Sequence, residues 1–118
     1  MRFEGRDLTT YAEPISATAL REGQTYFFVR YVDEHLRVPL VDTVVFAERF
    51  VGSDGTELLR FQDVRSYQRG IRFGSPELDG AQFQSATENG INHLFDYEHA
   101  LDELLRCAIR RNRRSDSV

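Results

Sequence analysis

The residues best able to do chemistry lie in the segment 95–111, which reads FDYEHALDELLRCAIRR. Asp96, His99 and Glu103 are spaced so that a helix would place each about one turn from the next. Their carboxylates and imidazole could bind a metal ion. If Asp96 is occupied as a helix cap, however, a zinc site still needs further ligands, for which His93 is the nearest candidate. We predict that Asp96 caps the helix, that His99 and Glu103 lie on its solvent-exposed face, and that no metal is bound.

A second group of ionisable residues forms one short stretch. Asp33, Glu34 and His35 are consecutive, and Arg30 and Arg37 flank them. Two carboxylates and an imidazole could transfer protons if they met in a cleft, but consecutive residues rarely converge on one point. We predict a solvated loop between two strands. If the domain binds a partner, these five residues are its predicted binding site.

Other catalytic arrangements find little support. Cys107 lies eight residues after His99, about 12 Å along a helix, which is beyond hydrogen-bond reach. The C-terminal half of a helix also disfavours a thiolate, so we predict that Cys107 packs in the core. The sequence contains no G-x-S-x-G, phosphate-binding-loop or dinucleotide-binding motif. We therefore predict no catalytic residue and no cofactor. A metal-binding or hydrolytic enzyme is the least favoured alternative.

The elements that position these residues follow from hydrophobic periodicity and turn signals. The stretch TYFFVRYV (25–32) is apolar on both faces, which predicts a central strand covered on both sides. The strands LVDTVVFAERFV (40–51) and TELLRF (56–61) flank GSDG (52–55) and predict a hairpin. We predict that the 56–61 strand is an unpaired edge, through which a homodimer could form.

Capping residues mark the shorter elements. Ser16 predicts the start of a short helical turn that Gly23 ends, and Asp63 and Gly70 bound a short helix in the same way. The stretch AQFQSATENGINHLF (81–95) contains Asn-Gly, which predicts a second hairpin with a two-residue turn.

The last helix is predicted from Tyr97 to about Arg111 and is amphipathic. A rotation of about 100° per residue gathers one apolar stripe, which we predict to be buried. The stripe consists of Tyr97, Leu101, Leu104, Leu105 and Ala108, with Ile109 at its margin. The predicted solvent face carries His99, Glu103, Arg106 and Arg110, with Asp102 or Glu103 paired to Arg106.

These elements predict an α+β fold in a single domain, 1–118, with an ordered core at 15–111 and a frayed basic tail at 112–118. The predicted architecture is a small antiparallel sheet or SH3-like open barrel of about five strands. A short helix follows strand 3 and an amphipathic helix ends the chain. The alternative is an open antiparallel sheet with one helix packed on a face.

Charge is divided unevenly along the 118 residues. Residues 1–105 carry ten Arg against eighteen Asp and Glu, a net charge of −8, whereas 106–118 carry five Arg and one Asp, a net charge of +4. An acidic body repels nucleic acid and suits a basic protein. The alternative is a single-stranded nucleic-acid-binding barrel that uses the aromatic strand YFFVRY and the Arg-rich C-terminus.

The compartment follows from what the chain lacks. No window approaches the roughly 18 apolar residues of a membrane span, and the first residues do not have the order of a secretion signal. A single cysteine favours a reducing compartment. We therefore predict a non-enzymatic interaction or accessory domain of the bacterial cytosol. Its partner is an unidentified protein, bound through an exposed sheet edge or the 33–38 loop.

Overall fold

The computed structural model describes residues 12–76 and 80–116, with side chains as far as residue 112. The predicted order of three strands, a short helix, two strands and a long helix is confirmed. The elements are a 3₁₀ turn Ala17–Ala19, β1 Thr25–Tyr31, β2 Pro39–Val51, β3 Glu57–Asp63, α1 Val64–Gln68, β4 Phe83–Ala86, a 3₁₀ turn Glu88–Gly90, β5 Leu94–Phe95 and α2 Tyr97–Asp116.

The five strands form one antiparallel sheet in the order β4-β3-β2-β1-β5, so the predicted α+β class is confirmed. Over the described ranges β4 does not pair with β5, and the sheet is open. β1 is an internal strand, as predicted, and lies between β2 and the edge strand β5. The predicted free edge at 56–61 is wrong, because β3 pairs with β2 on one side and with β4 on the other.

The two faces of the sheet are covered by different parts of the chain. Tyr26 and Phe28 point to what we call the core face, where the 3₁₀ segments close over the sheet. Phe28 meets Phe61 edge-on, with 5.3 Å between ring centroids. The buried residues on this side are Ala17, Leu20, Tyr26, Phe28, Val44, Phe46, Leu59, Phe61, Ile91 and Leu94. Val29 points to the opposite side, the helix face, which α2 covers.

The predicted hairpin between β2 and β3 is confirmed. Its turn needs a left-handed residue, which Gly55 supplies with φ of 85°. The register shifts between Phe46 and Glu48, which marks a bulge in β2. Beyond the bulge, Arg49 stacks over the Phe46 ring and donates to the carbonyl oxygens of Ala17 and Leu20. The bulge therefore helps to fix the N-terminal segment on the core face.

The predicted second hairpin is wrong. Asn89 and Gly90 lie in a 3₁₀ turn, and Gly90 does not adopt the left-handed conformation of a two-residue hairpin turn. After this turn the chain crosses from β4 at one edge of the sheet to β5 at the other. Ile91 and Leu94 are buried in the core, and their burial favours the crossing over a local hairpin.

The predicted buried stripe of α2 is wrong in part, since of its members Leu104 does pack against the core. Tyr97 and Leu101 are 67% and 66% exposed, and the helix instead buries Ala100, Glu103 and Cys107. Ala100 and Cys107 are small, so the helix can approach the sheet closely, and the carboxylate between them finds buried hydrogen-bond donors. Burial of Cys107 is confirmed.

Of two further predictions about α2, the ion pair is confirmed and the position of the C-terminal end is not. The predicted pair of Asp102 and Arg106 is confirmed, with 3.1 Å between Oδ1 and Nε. The helical backbone continues to Asp116, five residues past the predicted end at about Arg111. Among the helices of the described ranges, none has the length and apolar composition needed to cross a lipid bilayer.

Candidate protein-binding surface

The hairpin formed by β1 and β2 protrudes beyond the rest of the sheet. β1 and β2 pair from Thr25 with Val45 to Tyr31 with Pro39. β3, by contrast, reaches only as far as Val44, which it meets with Asp63. Residues 39–43 of β2 therefore pair with β1 alone, and from Arg30 and Leu40 to the loop, where β1 has also left β5, the hairpin is a two-stranded ribbon.

The end of this ribbon carries an apolar surface. Arg30 lies opposite Leu40, and the Val32 N–H donates to the Val38 carbonyl at 3.1 Å. Because side chains alternate between the two faces along a strand, Val32, Val38 and Leu40 lie on the core face. These three residues, the tip patch, are 62%, 49% and 52% exposed. Grouped exposed aliphatic side chains are typical of protein-binding surfaces.

The loop that closes the hairpin is held by Asp33. Its carboxylate accepts hydrogen bonds from the backbone N–H groups of Arg37 and Val38, at 3.0 Å and 2.7 Å, and its Oδ2 lies 3.8 Å from the Arg37 Nε. Leu36 adopts a left-handed conformation with φ of 59° inside this turn. Two of the five predicted binding residues, Asp33 and Arg37, thus shape the loop.

The other three predicted residues lie at the rim of the tip patch. Glu34 and His35 are exposed, with 3.7 Å between Glu34 Oε1 and His35 Nε2. Arg30 stacks over the Phe28 ring, with 4.6 Å to its centroid, and pairs with Asp42 at 3.3 Å. The side chains of Asp33, Glu34 and His35 do not converge, because the Asp33 carboxylate is turned into its own loop.

A buried polar network lies under the hairpin. Glu103 is fully buried; its Oε1 accepts from the Ala12 N–H at 2.8 Å, and its Oε2 accepts from the Tyr31 hydroxyl. Arg110 Nη2 lies 3.2 Å from the same Oε2, and Arg110 Nε donates to the Leu36 carbonyl at 2.8 Å. Burial, and then the Glu103 carboxylate, raise the pKa of Tyr31 well above its usual range. The network ties the loop to α2.

Sequence reasoning assigned Glu103 to the solvent. The available signal was the spacing of Ala100, Glu103 and Cys107, which lie three and four residues apart and form a second stripe of small side chains around one carboxylate. The tip patch was also missed, because nothing in the local pattern shows that β2 extends past β3.

The predicted cap of α2 is confirmed. Asp96 Oδ1 accepts from the His99 N–H at 2.9 Å and lies 2.8 Å from the His99 Nδ1. The hydrogen bond to Asp96 raises the pKa of His99. Glu103 is buried and bonds to the Ala12 N–H and the Tyr31 hydroxyl. Within 12–76 and 80–116, no three His, Cys, Asp or Glu side chains form a group that could hold a metal ion.

The aromatic rings proposed for stacking on nucleic-acid bases are largely covered. Tyr26 and Phe28 are buried on the core face. Phe27 packs on the helix face, edge-on to Tyr97 with 4.7 Å between ring centroids. β1 thus presents no open row of rings, and the nucleic-acid alternative receives little support from its geometry.

Comparison of the chain with protein-family models, with curated proteins and with solved structures finds no match. The function must therefore be inferred from the surface itself.

The conformation of the 33–38 loop is expected to change at acidic pH. Burial would raise the pKa of Asp33, but the N–H groups of Val38 and Arg37 outweigh it and hold the pKa below its ordinary value of 3.8. Because the pKa of Asp33 is lower in the folded loop than in the unfolded chain, the ionised carboxylate stabilises the loop at pH values above its ordinary pKa. This stabilisation is lost as the pH falls through the folded-state pKa.

We therefore expect the Val38 amide NMR signal to stay constant from neutral pH to about pH 4 and to shift only at lower pH. Asp33→Ala should move the signal toward a random-coil position at every pH, whereas Glu34→Ala, at an exposed neighbour, should not. A Val38 signal that is the same in Asp33→Ala and wild type would contradict the role of this carboxylate.

Proposed function

We propose that this chain is a non-enzymatic protein-interaction domain that binds its partner through the tip patch and the charged residues at its rim. The observation that carries the proposal is the grouping of three exposed aliphatic side chains, Val32, Val38 and Leu40, on a ribbon that projects from the sheet. Such a patch surrounded by charge has the composition of a binding-site core with a polar rim.

The patch is held in place before any partner arrives. Asp33 fixes the loop from within, and Arg110 fixes it from α2 through the Leu36 carbonyl. A surface that needs little ordering loses less entropy on binding, so more of its apolar burial is realised as affinity. Burying the exposed parts of three aliphatic side chains contributes on the order of 3 kcal/mol.

A basic partner suits the charge of the domain. Glu34 is a highly exposed acid at the rim, and Asp42 stands beside Arg30. The body of the chain, residues 1–105, has a net charge of −8 from ten Arg and eighteen acidic residues. Unlike charge on the partner would speed its approach and orient it. A reducing compartment such as the bacterial cytosol fits the single cysteine, which is a buried free thiol.

The test is a quantitative pull-down from the organism that encodes the chain, with wild type and two variants as bait. Leu40→Asp places a charge in the tip patch, and we expect it to reduce recovery of the partner at least about tenfold. Val51→Asp is the matched control, because Val51 is also exposed on β2 but lies at its other end. Both variants must keep the wild-type circular dichroism spectrum.

Equal recovery by Leu40→Asp and wild type would refute the assignment of the tip patch. Recovery of RNA or DNA in place of protein, with binding that weakens steeply as salt is added, would favour the nucleic-acid alternative.

A further inference from the structure

The first half of β2 has an open edge. The Val29 N–H donates to the His93 carbonyl beside β5, so in the antiparallel register its partner Val41 directs its N–H and C=O groups away from β1. By alternation, Thr43 directs its N–H the same way. Over the described part of the chain, no strand pairs with this side of β2 before Val44. The edge therefore offers backbone donors and an acceptor to another extended chain.

A groove lies beside this edge, on the line that β3 would follow if it were longer. β3 ends at Asp63, where α1 begins and the chain leaves the sheet. The groove has a volume of about 480 Å³, and its lining includes Asp42, Thr43 and Val44 of β2 and Gln82 and Phe83 at the start of β4. Because β3 alone separates β2 from β4, the gap that continues its line has the width of one strand.

The side chains beside the groove indicate what such a strand would carry. In antiparallel pairing, a residue opposite Val41 shares its face, and the two neighbours of that residue lie opposite Leu40 and Asp42 on the core face. Leu40 belongs to the tip patch, so an aliphatic side chain opposite it would enlarge a continuous apolar surface. The Asp42 side chain is 60% exposed and lies 3.3 Å from Arg30 on its β1 side, so a basic side chain could pair with it from the groove.

We propose that the partner bound by the tip patch contributes an extended segment, which adds to the sheet as a sixth strand along residues 39–43 of β2. The inference rests on the proposed function, because it describes the form of the same partner. In this segment a Lys or Arg, opposite Asp42, stands two positions before an aliphatic residue, opposite Leu40. The segment covers the groove and continues onto the tip patch, so the two contacts form one interface.

Two observations favour an extended segment over another occupant. The groups left open at the edge are backbone N–H and C=O groups, which an extended backbone satisfies in regular alternation. The gap has the width of one strand, whereas the β1–β2 ribbon of a second copy is two strands wide. A single strand from a partner therefore fits the space that the end of β3 leaves.

The probe is a phage-displayed library of random peptides of about ten residues, longer than a typical strand, selected on the immobilised full chain. We expect the selected peptides to share a basic residue two positions before an aliphatic one. In the complex with a selected peptide, hydrogen exchange should slow at least about tenfold at the Val41 and Thr43 amides. The Leu40 and Asp42 amides, which bond to β1, should keep their exchange rates.

Two variants at one position separate the backbone contact from the side chain. Val41→Pro removes only an outward N–H, which an edge strand tolerates, and it should weaken binding of the selected peptides at least about tenfold. Val41→Thr keeps this N–H and a β-branched side chain, so its affinity should stay within about threefold of wild type. If Val41→Pro does not fold, the slowed exchange at Val41 and Thr43 in the wild-type complex decides the question.

The outcomes distinguish a failure of this inference from a failure of the proposed function. Peptides that lose affinity in Leu40→Asp but not in a folded Val41→Pro would refute strand addition and leave the tip patch as the binding site. A library that yields no binding peptide would also overturn strand addition, and the pull-down with Leu40→Asp then tests the tip patch by itself. A dimer whose Val41 and Thr43 amides are protected before any peptide is added would overturn the inference by assigning the edge to a second copy.

Discussion

Glu103→Ala should lower the free energy of unfolding by about 3–5 kcal/mol, one of the two largest effects that we expect of a single substitution. Glu103 is fully buried and accepts hydrogen bonds from the Ala12 N–H and the Tyr31 hydroxyl. Its removal leaves both donors unpaired and takes from Arg110, whose side chain is only 17% exposed, the carboxylate 3.2 Å from its Nη2. A buried charge that loses its partner destabilises more than the pair itself stabilises.

Urea denaturation followed by circular dichroism measures the difference in the free energy of unfolding between Glu103→Ala and wild type. Glu98→Ala is the matched control, because Glu98 is an exposed acid on the same helix, and it should cost less than about 1 kcal/mol. Glu103→Gln keeps the shape and one acceptor oxygen, so its cost should lie between the two. We also expect the Leu36 NMR signals to move in Glu103→Ala, because Arg110 then loses the group that orients it. A cost below about 1 kcal/mol in Glu103→Ala would contradict the network.

Phe61→Ala should cost about 3–5 kcal/mol for a different reason. Phe61 is fully buried on the core face, with its ring centroid 5.3 Å from Phe28 and 5.6 Å from Phe46. The substitution leaves a cavity among three strands and removes two ring contacts. Because the tip patch continues this face of the sheet, partner binding should weaken as the core loosens.

Phe73→Ala is the control for the loss of a phenyl ring. Phe73 is largely exposed, and its ring covers the Arg60 guanidinium at 3.8 Å, a contact worth about 0.5–1 kcal/mol at such a site. The losses in the free energy of unfolding, measured for both variants by thermal and urea denaturation, should therefore differ by more than about 2 kcal/mol. Similar losses in the two variants would mean that the hydrophobic core does not centre on Phe61.

Local signals in the sequence predicted much of the fold. Asp63 and Asp96 were predicted as helix caps, and each carboxylate accepts an N–H three residues later in the chain. The two-sided apolar pattern of 25–32 predicted a central strand, and β1 lies between β2 and β5. These features depend on residues only a few positions apart, so a local pattern contains the information they need.

The errors occurred where distant residues decide between local options. Asn89 and Gly90 favour a hairpin in isolation, but burial of Ile91 in the core draws the chain across the sheet. Likewise, α2 has two stripes, and the larger one with Tyr97 and Leu101 is exposed. The smaller stripe is buried because Tyr31 and Ala12, far away in sequence, supply donors for its carboxylate. A helical wheel contains no information about those donors.

The site predicted from the sequence and the proposed tip patch share the β1–β2 hairpin but consist mostly of different residues. Sequence reasoning chose the charged groups between Arg30 and Arg37, of which Asp33 is engaged in holding the loop. The surface that supports the proposal is aliphatic, and Val38 and Leu40 lie beyond Val44, where the pairing of β3 with β2 ends. The relative lengths of neighbouring strands are set by the whole sheet, so the exposure of these side chains could not be predicted.

The most direct measurement is photo-crosslinking in living cells of the organism that encodes the chain, with a photoreactive phenylalanine at position 40. The same residue at position 51, also exposed on β2, is the control. If the tip patch binds a protein, position 40 will crosslink to one discrete partner and position 51 will not. Identical crosslinking at the two positions, or none at position 40, would contradict the account.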